Sequence, residues 1–207
     1  MTKRIVHIPV DSIRLEGSLE VPSVPQGIVL FAHRSQSSRH NRQDNHVAAT
    51  LRARGLATLL FDQITEEEAD RGACFDASLL AQRVFFASDW IRTEPAVAGL
   101  PLGYFGSGMG GAAVLICAAR RGEEIRAVVC KSARTDLARS TLSALHAPTL
   151  LLAGCEEPAL LELNHAACEE LRGPKALQQV GVSDALETLD EIAKAAGDWF
   201  DSHLVTR

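Results

Sequence analysis

A glycine-rich turn is the part of the sequence whose residue types and spacing best suit chemistry. The turn reads GSGMGG over residues 106–111, after an apolar stretch that ends at Phe105 and before a helical pattern. A helix that begins here presents unpaired N–H groups and about half a positive charge, which together can bind an anion or a carbonyl oxygen. We therefore expect the backbone N–H of Met109 to bind a ligand and Ser107 to lie beside it.

Further polar residues follow three other predicted strands. They are His33 and Arg34 after the first, Lys131 and Ser132 after the second, and Cys155 after the third. Ligands of an open parallel sheet bind at the carboxyl ends of its strands, so these five residues are expected to line the same cleft. Arg34 and Lys131 would make that cleft positive and suited to an anion, although loops of this kind are equally often capped and solvated.

The elements that must hold these residues alternate between strands and helices. Residues 4–10 and 13–21 alternate between apolar and polar side chains, as in an antiparallel hairpin. GIVLFAH, LATLLFD and PTLLLA are apolar throughout, as in strands buried on both faces. Helices are predicted over residues 45–54, 76–92, 112–121, 137–145, 159–171 and 186–204, and the acidic stretch 66–70 is expected to be a loop.

This order of elements predicts an α/β fold. Strands that alternate with helices form a mostly parallel central sheet covered by helices on both faces. The first two strands add an antiparallel N-terminal hairpin to it. We find no linker, repeat or low-complexity stretch, so residues 1–207 are expected to form a single domain.

Composition and charge exclude several classes of protein. The 207 residues are 46% hydrophobic and 23% charged, which is typical of a folded domain and not of a disordered chain. A formal net charge of -5 argues against nucleic acid or an anionic membrane as a partner. No apolar run approaches the roughly 20 residues of a membrane span, and residues 1–10 lack the apolar core of a signal peptide. We therefore expect a cytoplasmic protein that binds a small-molecule ligand or substrate, with a homodimer left open.

The five cysteines do not form a metal-binding pattern. They are Cys74, Cys117, Cys130, Cys155 and Cys168, an odd number without CxxC spacing. Buried free thiols are the expectation, and no metal site is expected. Cys130 and Cys155 end predicted strands, but the sequence shows neither a base beside them nor the lowered pKa that a nucleophilic thiol needs.

Four stretches together resemble a known family. GIVLFAHRSQSSRH, LATLLFD, GYFGSGMGGAA and APTLLLAGCEEP are similar in order and spacing to the α/β-hydrolase fold, and most of all to its small dienelactone-hydrolase-like branch. The resemblance extends from about Ile13 to Leu204. It implies hydrolysis of a carboxylic ester or lactone, no lid domain and no cofactor. It also implies a nucleophilic serine on a sharp strand-to-helix turn, G-x-S-x-G, with a later acid and histidine.

The sequence departs from that pattern at all three catalytic positions. Gly108 stands at the nucleophile position of the elbow, which we define as residues 106–110. The acid position falls near Glu156, and the histidine position falls near Asp184. Glycine has no side chain to attack with, and a carboxylate is a weak substitute for imidazole as a base. The departures indicate a degenerate triad.

Three functions fit these observations. A binding or regulatory protein that kept the cleft for a small ligand, an anion or a carbonyl compound, is the favoured interpretation. A residual hydrolase would need another nucleophile, such as Ser107, a cysteine or an activated water; Ser107 is also explained as a residue that satisfies backbone groups in a tight turn. A non-hydrolytic enzyme on the same fold is the third.

The glycine-rich turn over residues 106–111 also contains a pattern typical of dinucleotide-binding proteins. Gly106, Gly108 and Gly111 spell G-x-G-x-x-G between a strand and a helix. The pattern follows about the fifth strand and not the first, and Lys131 and Ser132 stand where an acidic residue would contact the ribose. The glycines of a hydrolase elbow explain it more simply, so no cofactor is expected.

Overall fold

The structure is a computed structural model that describes residues 1–33, 40–181, 183 and 185–205, without the side chain of Cys74. In these residues eight strands form one sheet in the order β1-β2-β4-β3-β5-β6-β7-β8. The strands are β1 Thr2–Val10, β2 Ile13–Val21, β3 Gly27–Ala32, β4 Leu56–Phe61, β5 Leu102–Ser107, β6 Ile125–Lys131, β7 Thr149–Gly154 and β8 Lys175–Val180. β2 is antiparallel to β1 and to β4, and the other neighbours are parallel. The predicted parallel sheet with an antiparallel N-terminal hairpin is confirmed.

The same residues contain seven α-helices. They are α1 Arg42–Ala53, α2 Glu66–Asp70, α3 Ala77–Thr93, α4 Met109–Arg121, α5 Arg139–Leu142, α6 Pro158–Glu170 and α7 Leu186–His203. The long helices match their predicted positions, whereas 137–145 is a 3-10 turn, Thr135–Ala138, followed by the four-residue α5. No helix of this part of the chain is long and apolar enough to cross a membrane.

The acidic helix α2 occupies the stretch that the sequence predicts as a loop. Thr65 Oγ1 accepts a hydrogen bond from the Glu68 N–H at 3.2 Å, and the Glu68 carboxylate accepts one from the Thr65 N–H at 2.9 Å. This reciprocal capping satisfies two N–H groups at the start of the helix. Three glutamates in the first turn also interact favourably with the helix dipole, so the segment is helical although it is short.

Helices cover both faces of the sheet. On one face, Leu51 of α1 and Phe200 of α7 are buried in the same cluster as Phe31 of β3. On the other face, Val114 of α4 is buried in the same cluster as Leu30, the neighbour of Phe31. Successive residues of β3 therefore enter two different apolar layers, which explains why the central strands are apolar throughout.

The centre of the sheet contains a switch in the order of the strands. β3 lies between β4 and β5, so the chain adds strands on one side of β3 and then on the other. Ala32 at the end of β3 pairs with Gly106 near the end of β5. Connections that diverge from two neighbouring parallel strands leave a crevice at their carboxyl ends, and this is where a ligand of such a sheet binds.

Candidate functional site

The elbow connects β5 to α4 through one residue in an unusual conformation. Gly108 has φ 55° and ψ −119°, a region that side chains disfavour. Its N–H donates to the Lys131 carbonyl and its carbonyl accepts from the Arg134 N–H, both at 3.1 Å. Within the described part of the chain, a Cβ placed on Gly108 would meet nothing within 4 Å beyond its chain neighbours. Among the residues that the structure describes, the tip of the elbow therefore faces open space, and β6 with the loop after it holds the tip in place.

Close packing fixes the start of α4 against the end of β3. A Cβ placed on Gly110 would lie 2.1 Å from the Ala32 carbonyl oxygen and 2.8 Å from the His33 nitrogen. Only glycine allows this approach of two backbones. The elbow glycines therefore serve the turn and its packing, which is the simpler of the two explanations that the sequence offers for their spacing.

A cleft of about 310 Å³ opens beside the elbow. Five residues named as candidates from the sequence line it, namely His33, Ser107, Gly108, Met109 and Ser132. Met109 is the first residue of α4, so no acceptor inside its own helix satisfies its N–H. These residues come from the ends of β3, β5 and β6 and from the start of α4, so the carboxyl edge of the sheet brings them together.

The charged groups of the cleft wall are already paired. Arg134 Nε and Nη2 donate to the two carboxylate oxygens of Asp136 at 2.9 and 2.7 Å, and this pairing lowers the pKa of Asp136. Ser132 Oγ donates to Glu157 Oε2 at 3.2 Å. Among the described residues, the wall therefore contains one guanidinium, that of Arg134, and one carboxylate, that of Glu157; the positive charge expected of Arg34 lies outside these residues.

The remaining candidates lie apart from the described cleft wall. Glu156 and Cys155 are exposed in the turn after β7, and among the described residues the carboxylate that lines the cleft is that of Glu157. Lys131 is half-buried, and its ammonium donates to Gln43 Oε1. Arg34 and Asp184 lie outside the described residues.

Sequence reasoning missed a buried carboxyl group next to the cleft. His33 Nδ1 lies 2.6 Å from Ser107 Oγ and 3.4 Å from Asp44 Oδ2. Asp44, in the first turn of α1, is only 4% exposed, and burial raises its pKa from 3.8 to about 7 although the charge of Lys131 acts in the opposite direction. We call these three side chains the Ser107–His33–Asp44 cluster. An acidic residue at a helix start is ordinary in sequence, so no pattern signals the burial of this one.

The two buried cysteines offer no activated thiol. Cys117 and Cys130 are buried, and burial raises the pKa of both thiols. A raised pKa leaves less thiolate, which is the reactive form. Cys155 is exposed, so the expectation of a buried thiol is wrong at this position. No three histidine, cysteine, aspartate or glutamate side chains of the described residues are grouped as a metal site.

Comparison with known sequences finds two curated relatives but no matching family model. No family model matches the chain. Proteins of two Mycobacterium tuberculosis strains, each named "Putative phosphoribosyl transferase", are 43% identical over 204 residues. The match covers 96% of this chain and 46% of theirs, so the chain spans about half the length of the curated relatives it matches.

Comparison with solved structures identifies the fold and the family. The esterase Est1E from Butyrivibrio proteoclasticus covers 96% of this chain with a TM-score of 0.80 at 16% identity, a likeness of fold alone. The dienelactone hydrolase from Anabaena variabilis has a TM-score of 0.93 and is 38% identical over 98% of both chains. The α/β-hydrolase fold predicted from the sequence is thereby confirmed. Identity at this level over 98% of both chains shows that the chain belongs to the dienelactone hydrolase family.

Proposed function

We propose that the protein binds a small carbonyl compound at the elbow and does not transfer its acyl group. The observation that carries this proposal is Gly108, which occupies the tip of the elbow and presents no side chain to the cleft. Acyl transfer through an elbow needs a hydroxyl or thiol at that point. The proposal therefore includes the inference from the sequence that the catalytic triad of the family is degenerate in this chain.

The backbone favours a carbonyl oxygen as the bound group. The Met109 N–H at the start of the 13-residue α4 adds a hydrogen-bond donor to the positive end of a helix dipole. The cleft wall contains both the Arg134 guanidinium, which is paired with Asp136, and the Glu157 carboxylate. Because Asp136 already offsets the charge of Arg134 and Glu157 adds a negative one, a neutral carbonyl compound suits the described part of the cleft better than an anion.

Binding of methyl butyrate, a small neutral ester, tests the proposal. Ribose 5-phosphate serves as the anionic comparison, because the curated relatives are named as phosphoribosyl transferases. We expect saturation-transfer NMR signals from the ester and none from the sugar phosphate. Met109→Pro should weaken binding of the ester about three- to tenfold, because it removes one hydrogen-bond donor and proline is tolerated at the first position of a helix.

Met109→Ala is the matched control, since it removes the same side chain and keeps the N–H. It should bind methyl butyrate as the unaltered protein does. Equal weakening in both variants would contradict a role for the N–H, and stronger binding of ribose 5-phosphate would contradict the carbonyl as the recognised group.

Hydrolysis through Ser107 is a second candidate function. It is favoured by one observation, the 2.6 Å contact between Ser107 Oγ and a nitrogen of His33, beside a cleft that both residues line. A histidine at this distance can remove a hydroxyl proton and so activate a serine.

A fluorophosphonate probe followed by intact-mass measurement decides between the two functions. We expect no adduct, because Ser107 is only 8% exposed and lies one residue before the tip of the elbow. A stoichiometric adduct that is absent from Ser107→Ala would support the second candidate and contradict the first.

A further inference from the structure

We propose that the Ser107–His33–Asp44 cluster is a proton switch that decides whether Ser107 donates or accepts a hydrogen bond in the cleft. The proposal rests on the proposed function, because the group that responds to the switch is the carbonyl oxygen of a bound ligand. It concerns how that binding is regulated.

The geometry brings two oxygens to one ring nitrogen. His33 Nδ1 lies 2.6 Å from Ser107 Oγ and 3.4 Å from Asp44 Oδ2. A ring nitrogen carries either a proton or a lone pair, so its two neighbours cannot be satisfied independently. The protonation state of Asp44 therefore favours one tautomer of His33 or the other.

An ionised Asp44 requires a proton on Nδ1, since a carboxylate beside a nitrogen lone pair is repelled. With that proton in place, Ser107 Oγ accepts from Nδ1 and the hydroxyl hydrogen of Ser107 is available to the cleft. A neutral Asp44 removes the requirement. Nδ1 then accepts the short hydrogen bond from the Ser107 hydroxyl, and Ser107 offers only lone pairs to a ligand.

The charged groups around Asp44 place this change near neutral pH. Among the described residues, His33 at the end of β3 and Lys131 at the end of β6 face the carboxyl group. Burial raises the pKa of Asp44 to about 7, and Lys131 limits the rise. The acids of α7 pair with other residues of this region, Asp190 with His46 and both Asp198 and Asp201 with Arg54.

The expected consequence is binding that strengthens as the pH rises through neutrality. Above the pKa of Asp44 the Ser107 hydroxyl can donate to a ligand carbonyl, and below it the same hydroxyl is held by His33. One hydrogen bond between neutral groups changes affinity by about three- to tenfold. Methyl butyrate should therefore bind more tightly at pH 8 than at pH 6 by that factor.

The switch is tested by following the ring nitrogens of His33 in the ligand-free protein with long-range 1H–15N NMR. We expect Nδ1 to be protonated at pH 8 and Nε2 to be protonated at pH 6. Asp44→Asn, whose amide resembles the neutral acid, should keep the low-pH tautomer throughout and bind methyl butyrate weakly at both pH values. Asp190→Asn is the matched control, because it removes the exposed carboxylate 2.7 Å from the half-buried His46 and should leave His33 unchanged.

Two outcomes overturn the switch. One is a single tautomer of His33 from pH 6 to pH 8. The other is an imidazolium at pH 6, because the added proton would then be on His33 and Nδ1 would never become an acceptor. A tautomer change without binding of methyl butyrate at either pH would instead contradict the proposed function, so the two failures are distinguishable.

Discussion

Asp44 is placed differently from the acid of a Ser-His-Asp triad. In a triad the acid and the serine contact opposite nitrogens of the histidine, so an ionised acid favours removal of the serine proton. Here Asp44 and Ser107 approach the same nitrogen, Nδ1 of His33. An ionised Asp44 keeps a proton on that nitrogen and prevents it from acting as a base. The cluster contains the residue types of a triad but not its geometry.

The buried carboxyl group of Asp44 makes the stability of the protein depend on pH. Its pKa is about 7 in the folded chain, above the usual 3.8, so the folded state binds the proton more tightly than the unfolded state. The resulting stabilisation is complete below about pH 4 and is lost as the pH rises to about 7. We expect Asp44→Asn to be free of this loss and to gain about 2–4 kcal/mol relative to the unaltered protein between pH 4 and pH 8.

Urea denaturation of both proteins at pH 5 and pH 8 measures this difference. Asp190→Asn again serves as the control, since Asp190 is an exposed carboxylate whose removal should leave the pH dependence nearly unchanged. Parallel pH profiles of the unaltered protein and Asp44→Asn would show that Asp44 is ionised in the folded state at pH 5.

At the scale of elements, the elbow depends on the contact between the start of α4 and the end of β3. Gly110→Ala should be strongly destabilising, because its Cβ would lie 2.1 Å from the Ala32 carbonyl oxygen and the backbone must move. Overpacking in a well-packed core costs about 1–3 kcal/mol, and more where backbone is the obstacle. Gly108→Ala should cost only about 1–2 kcal/mol, since its Cβ meets open space and the positive φ alone is unfavourable.

Thermal unfolding of the two alanine variants compares these costs directly. The melting temperature of Gly110→Ala should fall clearly below that of Gly108→Ala. Equal melting temperatures would mean that α4 can shift away from β3 without loss of packing, and the elbow would then not be rigidly placed.

The sequence predicts the elements well where burial dictates the pattern. β3 is apolar throughout because its residues enter apolar layers on both faces of the sheet, and that requirement is visible in GIVLFAH. The acidic α2 was predicted as a loop because its helical state depends on reciprocal hydrogen bonds between Thr65 and Glu68, which hydrophobic periodicity does not indicate. The glycine pattern predicts the elbow, because two backbones can pack this closely only where the residue is glycine.

At the scale of the whole molecule, the site is assembled from distant parts of the chain. His33, Ser107 and Ser132 meet because the carboxyl ends of parallel strands share one edge of the sheet, and this much follows from the sequence. The position of Asp44 does not. Its burial depends on how α1 packs, and its pKa depends also on Lys131, which comes from another strand. Neither neighbour can be read from the residues that adjoin Asp44.

The lack of a side chain at Gly108, the tip of the elbow, also affects which ligand shapes the cleft can hold. In a serine hydrolase, the hydroxymethyl group at this point occupies the space directly in front of the reacting carbon. At Gly108 no side-chain atom of the described residues occupies that space. A compound with a crowded, fully substituted carbon beside its carbonyl would collide with such a serine but has room here. Under the proposed function, a glycine at this point thus widens the cleft toward branched compounds and at the same time leaves no group there to attack them.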